Sequence, residues 1–454
     1  IELASLSILN VTTGLGVMLS GLCILPTIVK EIPKLIANDD KKTASSMIKS
    51  VIFIHFIVTL FIVIVCIFFV RELTLVFFKT EKYTRIMYII FFNIISYKLL
   101  EDGQYILTAL QMFTQYSLVR LYEAILLRIV SIIGYFIGGI ETYLLLLIIS
   151  NFVIFLYIIY LIRDLLKVKS GIFPLTNLIS YSLPFYGNAY TNFFAGQGDQ
   201  FIVATFLSPE VLAGYYVARR FYDYLSLLID ALTKPVFIKI AELNVSGIEK
   251  VRSAMFKTSK YLLFIIIPVC CFCAVSSYPL LQIYGGTKYL NSVPILVILS
   301  LTAIPSAFYS LVVFYIYIVY KPIRTFIVEL SRAITNFILG LFFVRLLATT
   351  GIACNFFLSF VVGTLIAYCM QNKTQKIKID WLILQHILIS VALSCSIILL
   401  LQVLYYNIFI YPIYLLISVI IFWLLIRGKF SEEDKKLILQ LLPINNKIAK
   451  FIIG

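Results

Sequence analysis

The chain has 454 residues, of which 61% are hydrophobic and only 13% charged, with a net charge of +15 and a mean hydropathy of +1.02. No soluble core absorbs that much apolar side chain in a chain of this length, so the class implied is an all-α polytopic membrane protein. A β-barrel is excluded because the apolar segments are long and hydrophobic all round, where barrel strands alternate every second residue.

Hydrocarbon about 30 Å thick takes about 20 helical residues to cross. In chain order, spans are predicted at 4–29, 46–70, 86–112, 117–138 and 141–163, an N-terminal lobe over 1–163. A basic connection, 164–177, precedes spans at 178–207, 211–240, 255–281, 291–319, 323–346 and 351–371, a C-terminal lobe over 178–372. Two additional spans, 381–404 and 409–427, occupy 373–427 and lead into a basic tail, 428–454. That makes about thirteen visible spans joined by short connections.

The positive charge reports orientation. Lys30, Lys34, Lys41, Lys42, Lys49, Arg120, Arg163, Lys167, Lys169, Lys239, Lys250, Arg252 and Lys257 fall in alternate connections, with Lys321, Arg324, Lys373, Lys376, Lys378 and the tail. They outnumber Arg71, Lys79, Lys82, Arg85, Lys288 and Arg345 on the other side by roughly four to one, which makes the C-terminus cytoplasmic and implies no nucleic-acid partner. Residue 1 then lies outside and is Ile, so an N-terminal stretch with one further span is expected to be missing. The full protein would have about fourteen helices, two six-helix lobes around a central cavity plus two C-terminal helices. A short likeness supports the repeat: Leu25-Pro26-Thr27-Ile28-Val29-Lys30 and Lys234-Pro235-Val236-Phe237-Ile238-Lys239 both set a Pro four residues before a Lys at an inner span end.

Polar stripes inside apolar spans carry the functional signal, because charge at membrane depth is costly and should meet water or another helix. Tyr216, Arg219, Asp223, Ser226, Asp230 and Lys234 fall within about 60° of Arg219 on one helical face. Asn188, Asn192 and Asp199 share a face on 178–207, Lys98 and Asp102 share one on 86–112 beside Glu101, and Thr325, Glu329, Arg332 and Asn336 form a stripe on 323–346. The expected cavity residues are Arg219, Arg220, Asp223, Lys234, Asn188, Asn192, Lys98, Arg128 and Arg332, with Asp199 and Asp230 as the carboxylates to exchange a coupling ion, H+ or Na+. Arg220, Arg128 and Asp199 lack an obvious local partner. The plainer alternative is that Lys98/Asp102, Arg219/Asp223, Asp230/Lys234 and Glu329/Arg332, each three or four residues apart, neutralise one another within their own helices.

All eight cysteines lie in predicted spans. Cys270-Cys271-x-Cys273 has no flanking His or carboxylate, so buried thiols are expected and no metal. The two histidines, His55 and His386, are isolated in sequence, and a satisfied interhelical contact outweighs a proton role at each. No metal motif, Gly-rich phosphate loop or nucleophile elbow appears, and the longest outer connection, 71–85, is short, so an enzyme such as a glycan polymerase is not expected, nor any cofactor.

The stretch from Gly198 to Arg220 adds a resemblance. Asp199, the turn Ser208-Pro209-Glu210, Gly214, Tyr216, Ala218 and Arg219, with Pro235 further on, resemble the start of the second lobe in Wzx-type flippases of the multidrug/oligosaccharidyl-lipid/polysaccharide (MOP) exporter superfamily. The topology agrees with that family over essentially the whole chain. The resemblance implies a cell-membrane transporter that flips a polyprenyl- or dolichyl-diphosphate-linked oligosaccharide or polysaccharide repeat unit by alternating access. It implies ion coupling, membrane lipids as surroundings and glycan-assembly enzymes as partners. A cation-coupled small-molecule exporter of the same superfamily is the alternative, because intramembrane cations and carboxylates are nearly balanced in number.

Overall fold

A bilayer offers backbone N–H and C=O groups no water, so a crossing segment must satisfy them internally, as a helix does. The structure, a computed structural model, describes residues 2–426 apart from 23, 170, 172, 245–246, 321, 372–379, 405–406 and 408; the tail 428–454 lies outside the described residues. In order the helices are α1 (Glu2–Ser20), α2 (Ile24–Ala37), α3 (Lys41–Phe68), α4 (Val70–Phe78), α5 (Thr84–Ala109), α6 (Phe113–Leu161), α7 (Arg163–Leu166) and α8 (Leu175–Phe206). There follow α9 (Pro209–Asn244), α10 (Ile248–Val275), α11 (Ser277–Gly285), α12 (Val293–Val319), α13 (Pro322–Ile334), α14 (Gly340–Cys369), α15 (Trp381–Leu404) and α16 (Tyr411–Ile426). No strand occurs among the described residues.

Seven helical segments among them are long and apolar enough to cross a membrane. Two of these, Phe113–Leu161 with 49 residues and Ile323–Cys369 with 47, far exceed one crossing. Each is two spans joined at a kink. In α6 the helix breaks at Gly138 and Gly139, the latter at φ 68°, and in α14 at Leu347 and Ala348, the latter at φ 48°. These breaks fall where the sequence places its connections. α5 is also long enough to cross, at 26 residues, but it carries the charges Lys98, Glu101 and Asp102.

The first predicted span differs. Where one helix was expected over 4–29, the chain breaks after Ser20: Gly21 leaves the helix, Leu22 adopts φ 46°, and α2 restarts at Ile24. A polar connection then leads to Asp40, which caps α3 by accepting from the Thr43 N–H at 3.0 Å. The Thr43 side chain and N–H together hold the Asp40 carboxyl below its ordinary value, so this cap persists above the ordinary carboxylate range and is lost as pH falls through the lowered value.

Contacts divide the chain into Ile1–Ala213 and Gly214–Gly454. The sequence set its boundary one helix earlier, at 164–177. α8 falls in the first unit because it packs on α1, α2 and α4, and Gly14 permits the approach: a Cβ there would come within 2.4 Å of Gln197 Oε1. The core of this unit joins Ile28 and Ile32 of α2, Ile48 and Val51 of α3, Leu107 of α5 and Ile158 of α6. A buried polar knot reinforces it, with Asn93 donating to Thr13 at 2.9 Å and Asn151 donating to Asn93 and Ser96. In the second unit the last two helices pack on α10 through Ile267, Ile387, Val391, Ile398 and Phe422, and Tyr411 donates to Ser276 at 2.7 Å. Phe53, Phe56, Ile57, Phe61 and Ile64 of α3 remain exposed, an apolar face suited to lipid.

Candidate functional site

A polar construction in the second unit begins on α9. Arg219 is 5% exposed. Helical spacing sets Tyr222 three residues on and Asp223 four residues on along the same face. Arg219 Nε stands 3.3 Å from Asp223 Oδ1, and its guanidinium lies 4.8 Å from the Tyr222 ring centre. The closest aromatic face comes from another helix: Phe356 of α14, at 4.0 Å. One turn further along α14, Phe360 supplies the same kind of face to Arg332 of α13, again at 4.0 Å, while Tyr309 of α12 covers it at 5.0 Å.

The rings are themselves interlocked edge to face. Phe356 and Phe360 are 5.2 Å apart, Tyr222 and Phe356 5.1 Å, and Tyr309 and Phe360 5.5 Å. Gly363 makes room for this: a Cβ there would meet Tyr309 Cε2 at 2.8 Å and Arg332 Cβ at 3.5 Å. Four helices thus hold two guanidiniums by their planar faces. A stacked guanidinium keeps its N–H donors at its edge, where a carboxylate or phosphate oxygen binds bidentately.

Carboxylates stand at the edges of these guanidiniums. Arg332 NH1 lies 3.7 Å from Glu329 Oε2, and Asp223 serves both Arg219 and Arg220, the latter at 3.6 Å. Arg220 also donates to the Tyr216 hydroxyl and stacks over that ring at 4.6 Å, so two local partners do exist for it. Among the described residues, Asp223 and Glu329 are the carboxylates set against these three arginines.

The other expected residues are dispersed. Lys98 is 1% exposed and bonds Glu101 at 2.7 Å and Asp102 at 3.2 Å in the first unit. Asp199 is buried on α8, and Asn192 on the same helix is exposed; the Asn188 side chain lies outside the described residues. Arg128 is exposed on α6 with no ion pair or hydrogen bond among the described residues. Lys234 and Asp230 pair with each other at 2.8 Å on an exposed surface. No cluster of three or more metal-ligating side chains occurs among the described residues. Sequence reasoning missed the aromatic platforms. Their only local trace is the Phe356/Phe360 spacing of four, which any apolar helix face also shows.

Solved structures share this architecture. A lipid II flippase, MurJ, in an inward-closed conformation matches with a TM-score of 0.69 and 16% identity, covering 92% of this chain and 95% of that one. An inward-facing multidrug resistance MATE family transporter of the MOP superfamily matches with a TM-score of 0.66 and 16% identity, covering 81% and 89%. A MOP superfamily transporter from Pyrococcus furiosus matches at 0.57 and 15% identity, covering 80% and 86%. No curated protein sequence matches. The fold is that of the MOP superfamily transporters, a multi-pass membrane architecture. Within that class, the family described as polysaccharide biosynthesis protein matches residues 33–294, more than half of the chain. The chain belongs to that family.

Proposed function

We propose that the protein flips a polyprenyl- or dolichyl-diphosphate-linked oligosaccharide or polysaccharide repeat unit across the cell membrane by alternating access. The observation that carries this reading is the pair of guanidiniums, Arg219 and Arg332, stacked on adjacent aromatic faces. Such a pair suits a diphosphate. The family's tie to polysaccharide biosynthesis supports a glycan cargo, and the likeness to a lipid II flippase supports a lipid-linked one. Arg220, Asp223, Lys98, Arg128, Lys234, Asn188 and Asn192 complete the proposed substrate path. Asp199, the buried one of the two coupling carboxylates, is the stronger ion site; Asp230 is held by Lys234.

In this reading the C-terminus is cytoplasmic, glycan-assembly enzymes deliver the substrate, and the protein catalyses no covalent step. A cation-coupled small-molecule exporter is the second reading. The likeness to a multidrug transporter and the Asp223 and Glu329 carboxylates beside the arginines support it.

The test is binding of a fluorescent polyprenyl-diphosphate lipid to protein in nanodiscs. Arg219→Lys and Arg332→Lys keep the charge but lose the planar fork, and each should weaken binding by roughly tenfold or more, the worth of a charged hydrogen bond of about 1.5–3 kcal/mol. Unchanged affinity in the double variant would remove the site.

A further inference from the structure

The first unit holds a second buried construction, centred on a histidine. His55 of α3 is 0% exposed, and both its ring nitrogens are engaged. Nδ1 stands 2.8 Å from Asp102 Oδ1 of α5, and Nε2 stands 2.9 Å from the Gly21 carbonyl oxygen, at the break between α1 and α2. A carbonyl oxygen only accepts, so Nε2 carries a hydrogen. Nδ1 then faces a carboxyl oxygen, and that contact is a hydrogen bond only if a second proton lies on Nδ1 or on Asp102. The pair therefore holds one proton more than a neutral imidazole and a carboxylate.

Charge balance points the same way. Lys98 bonds both Asp102 at 3.2 Å and Glu101 at 2.7 Å. With the extra proton the four groups carry two positive and two negative charges. Without it the cluster, in which His55, Lys98 and Asp102 are buried and Glu101 is part-buried, carries a net negative charge at membrane depth, which is costly. Because Lys98 sits against Asp102 Oδ1, the carboxylate is the ionised partner and the proton resides on the imidazole. Among the described residues, Lys98 and Glu101 are the other ionisable groups that bond within the cluster. Glu2 of α1 bonds Tyr135, Lys30 and Lys34 of α2 engage Glu31, and Glu123 of α6 holds Arg120 and Gln104.

We propose that His55 and Asp102 form a proton-binding site, filled in this conformation, whose emptying parts one of the two ties that α3 makes, to α5 or to the α1–α2 break, and that this proton couples transport. The step is a simple dissociation: imidazolium gives neutral imidazole and a proton that leaves to water. If Nδ1 loses it, two acceptors face each other at the Asp102 contact; if Nε2 loses it, two acceptors face each other at Gly21. Either way one of the two ties from α3 must part. The site goes beyond the carboxylates named above, and its coupling role, though not its protonation, rests on the proposed transport.

Two measurements test it on the full chain. The protein has two histidines, so 15N-histidine labelling in nanodiscs, with His386→Gln to leave one signal, reads His55 directly. At neutral pH both ring nitrogens should give imidazolium shifts, and Asp102→Asn should convert the ring to a neutral Nε2–H tautomer. A neutral His55 at neutral pH in the otherwise unaltered chain overturns the proton site. In proteoliposomes with a labelled glycan-diphosphate lipid, a one-unit pH gradient should shift the steady-state distribution of the lipid about tenfold for each proton coupled. His55→Gln and Asp102→Asn should abolish that shift. A shift kept in both variants, or one driven by a Na+ gradient alone, overturns the coupling role. A lipid that does not move at all refutes the proposed transport and leaves the spectroscopic result standing.

Discussion

Two lysines with the same local pattern, an acid four residues away on the same helix, have opposite fates. Lys98 is buried with Glu101 and Asp102, and Lys234 is 67% exposed beside Asp230. Sequence treats them alike; burial separates their energetics. Lys98→Met removes a buried cation from the buried Asp102 and the part-buried Glu101, and should cost about 3–5 kcal/mol. Lys234→Ala removes a solvent-screened pair, worth less than about 1 kcal/mol. Denaturation in a single detergent would check the contrast, and equal losses would refute the burial assignment. The same distinction explains why pairing within a helix does not settle function. Arg219 is satisfied by Asp223 locally, yet its largest face is covered by Phe356, a residue 137 positions away in the chain.

At the scale of elements, the membrane-crossing helices are defined as much by their breaks as by their lengths. The breaks in α6 and α14 turn two segments of more than 45 residues into hairpins. Gly139 takes φ 68°, ψ −155°, a conformation open to glycine and strained for other residues. Ala348 takes φ 48°, ψ −129° without that freedom, and Gly351 beside it lies so close to Phe343 that a Cβ would be 2.4 Å from its carbonyl oxygen. Gly139→Ala should therefore destabilise by about 1–3 kcal/mol, and Ala348→Gly should stabilise by up to about 1 kcal/mol once the added chain entropy is counted. Thermal unfolding of the two variants reads both signs, and a stabilising Gly139→Ala would refute the kink. These hairpins were legible in sequence, because Gly138-Gly139 and Thr349-Thr350 interrupt the apolar runs. The break at Gly21 was not. Apolar residues flank it on both sides, and only the tertiary bond from His55 to the Gly21 carbonyl marks it.

At the scale of the molecule, hydropathy alone separates the chain into its crossings, since each must be about 20 residues long and apolar whatever it packs against. That is why the all-helical, multi-pass class could be read from the sequence, and why the resemblance carried by Asp199 to Arg219 agreed with a topology reached independently. The site was only half legible. Arg219 and Arg332 stood out as charges in apolar spans, but their convergence on α14 depends on packing among four helices and has no sequence period. His55 and Asp102, 47 residues apart, are joined only by folding. The second unit brings together two guanidiniums on adjacent aromatic faces, and the first encloses a histidine held at both ring nitrogens. Under the proposed transport, the second unit reads the substrate and the first reads the ion.

The most direct measurement is the leaflet accessibility of a labelled polyprenyl-diphosphate glycan in sealed proteoliposomes, followed by a membrane-impermeant reagent. The protein should make the inner-leaflet pool accessible, without nucleotide, at a rate at least about tenfold above protein-free vesicles, and substitution of Arg219 and Arg332 by Lys should remove most of that gain. An inner pool that stays protected over the same period, or one released equally by the doubly substituted protein, would contradict the account.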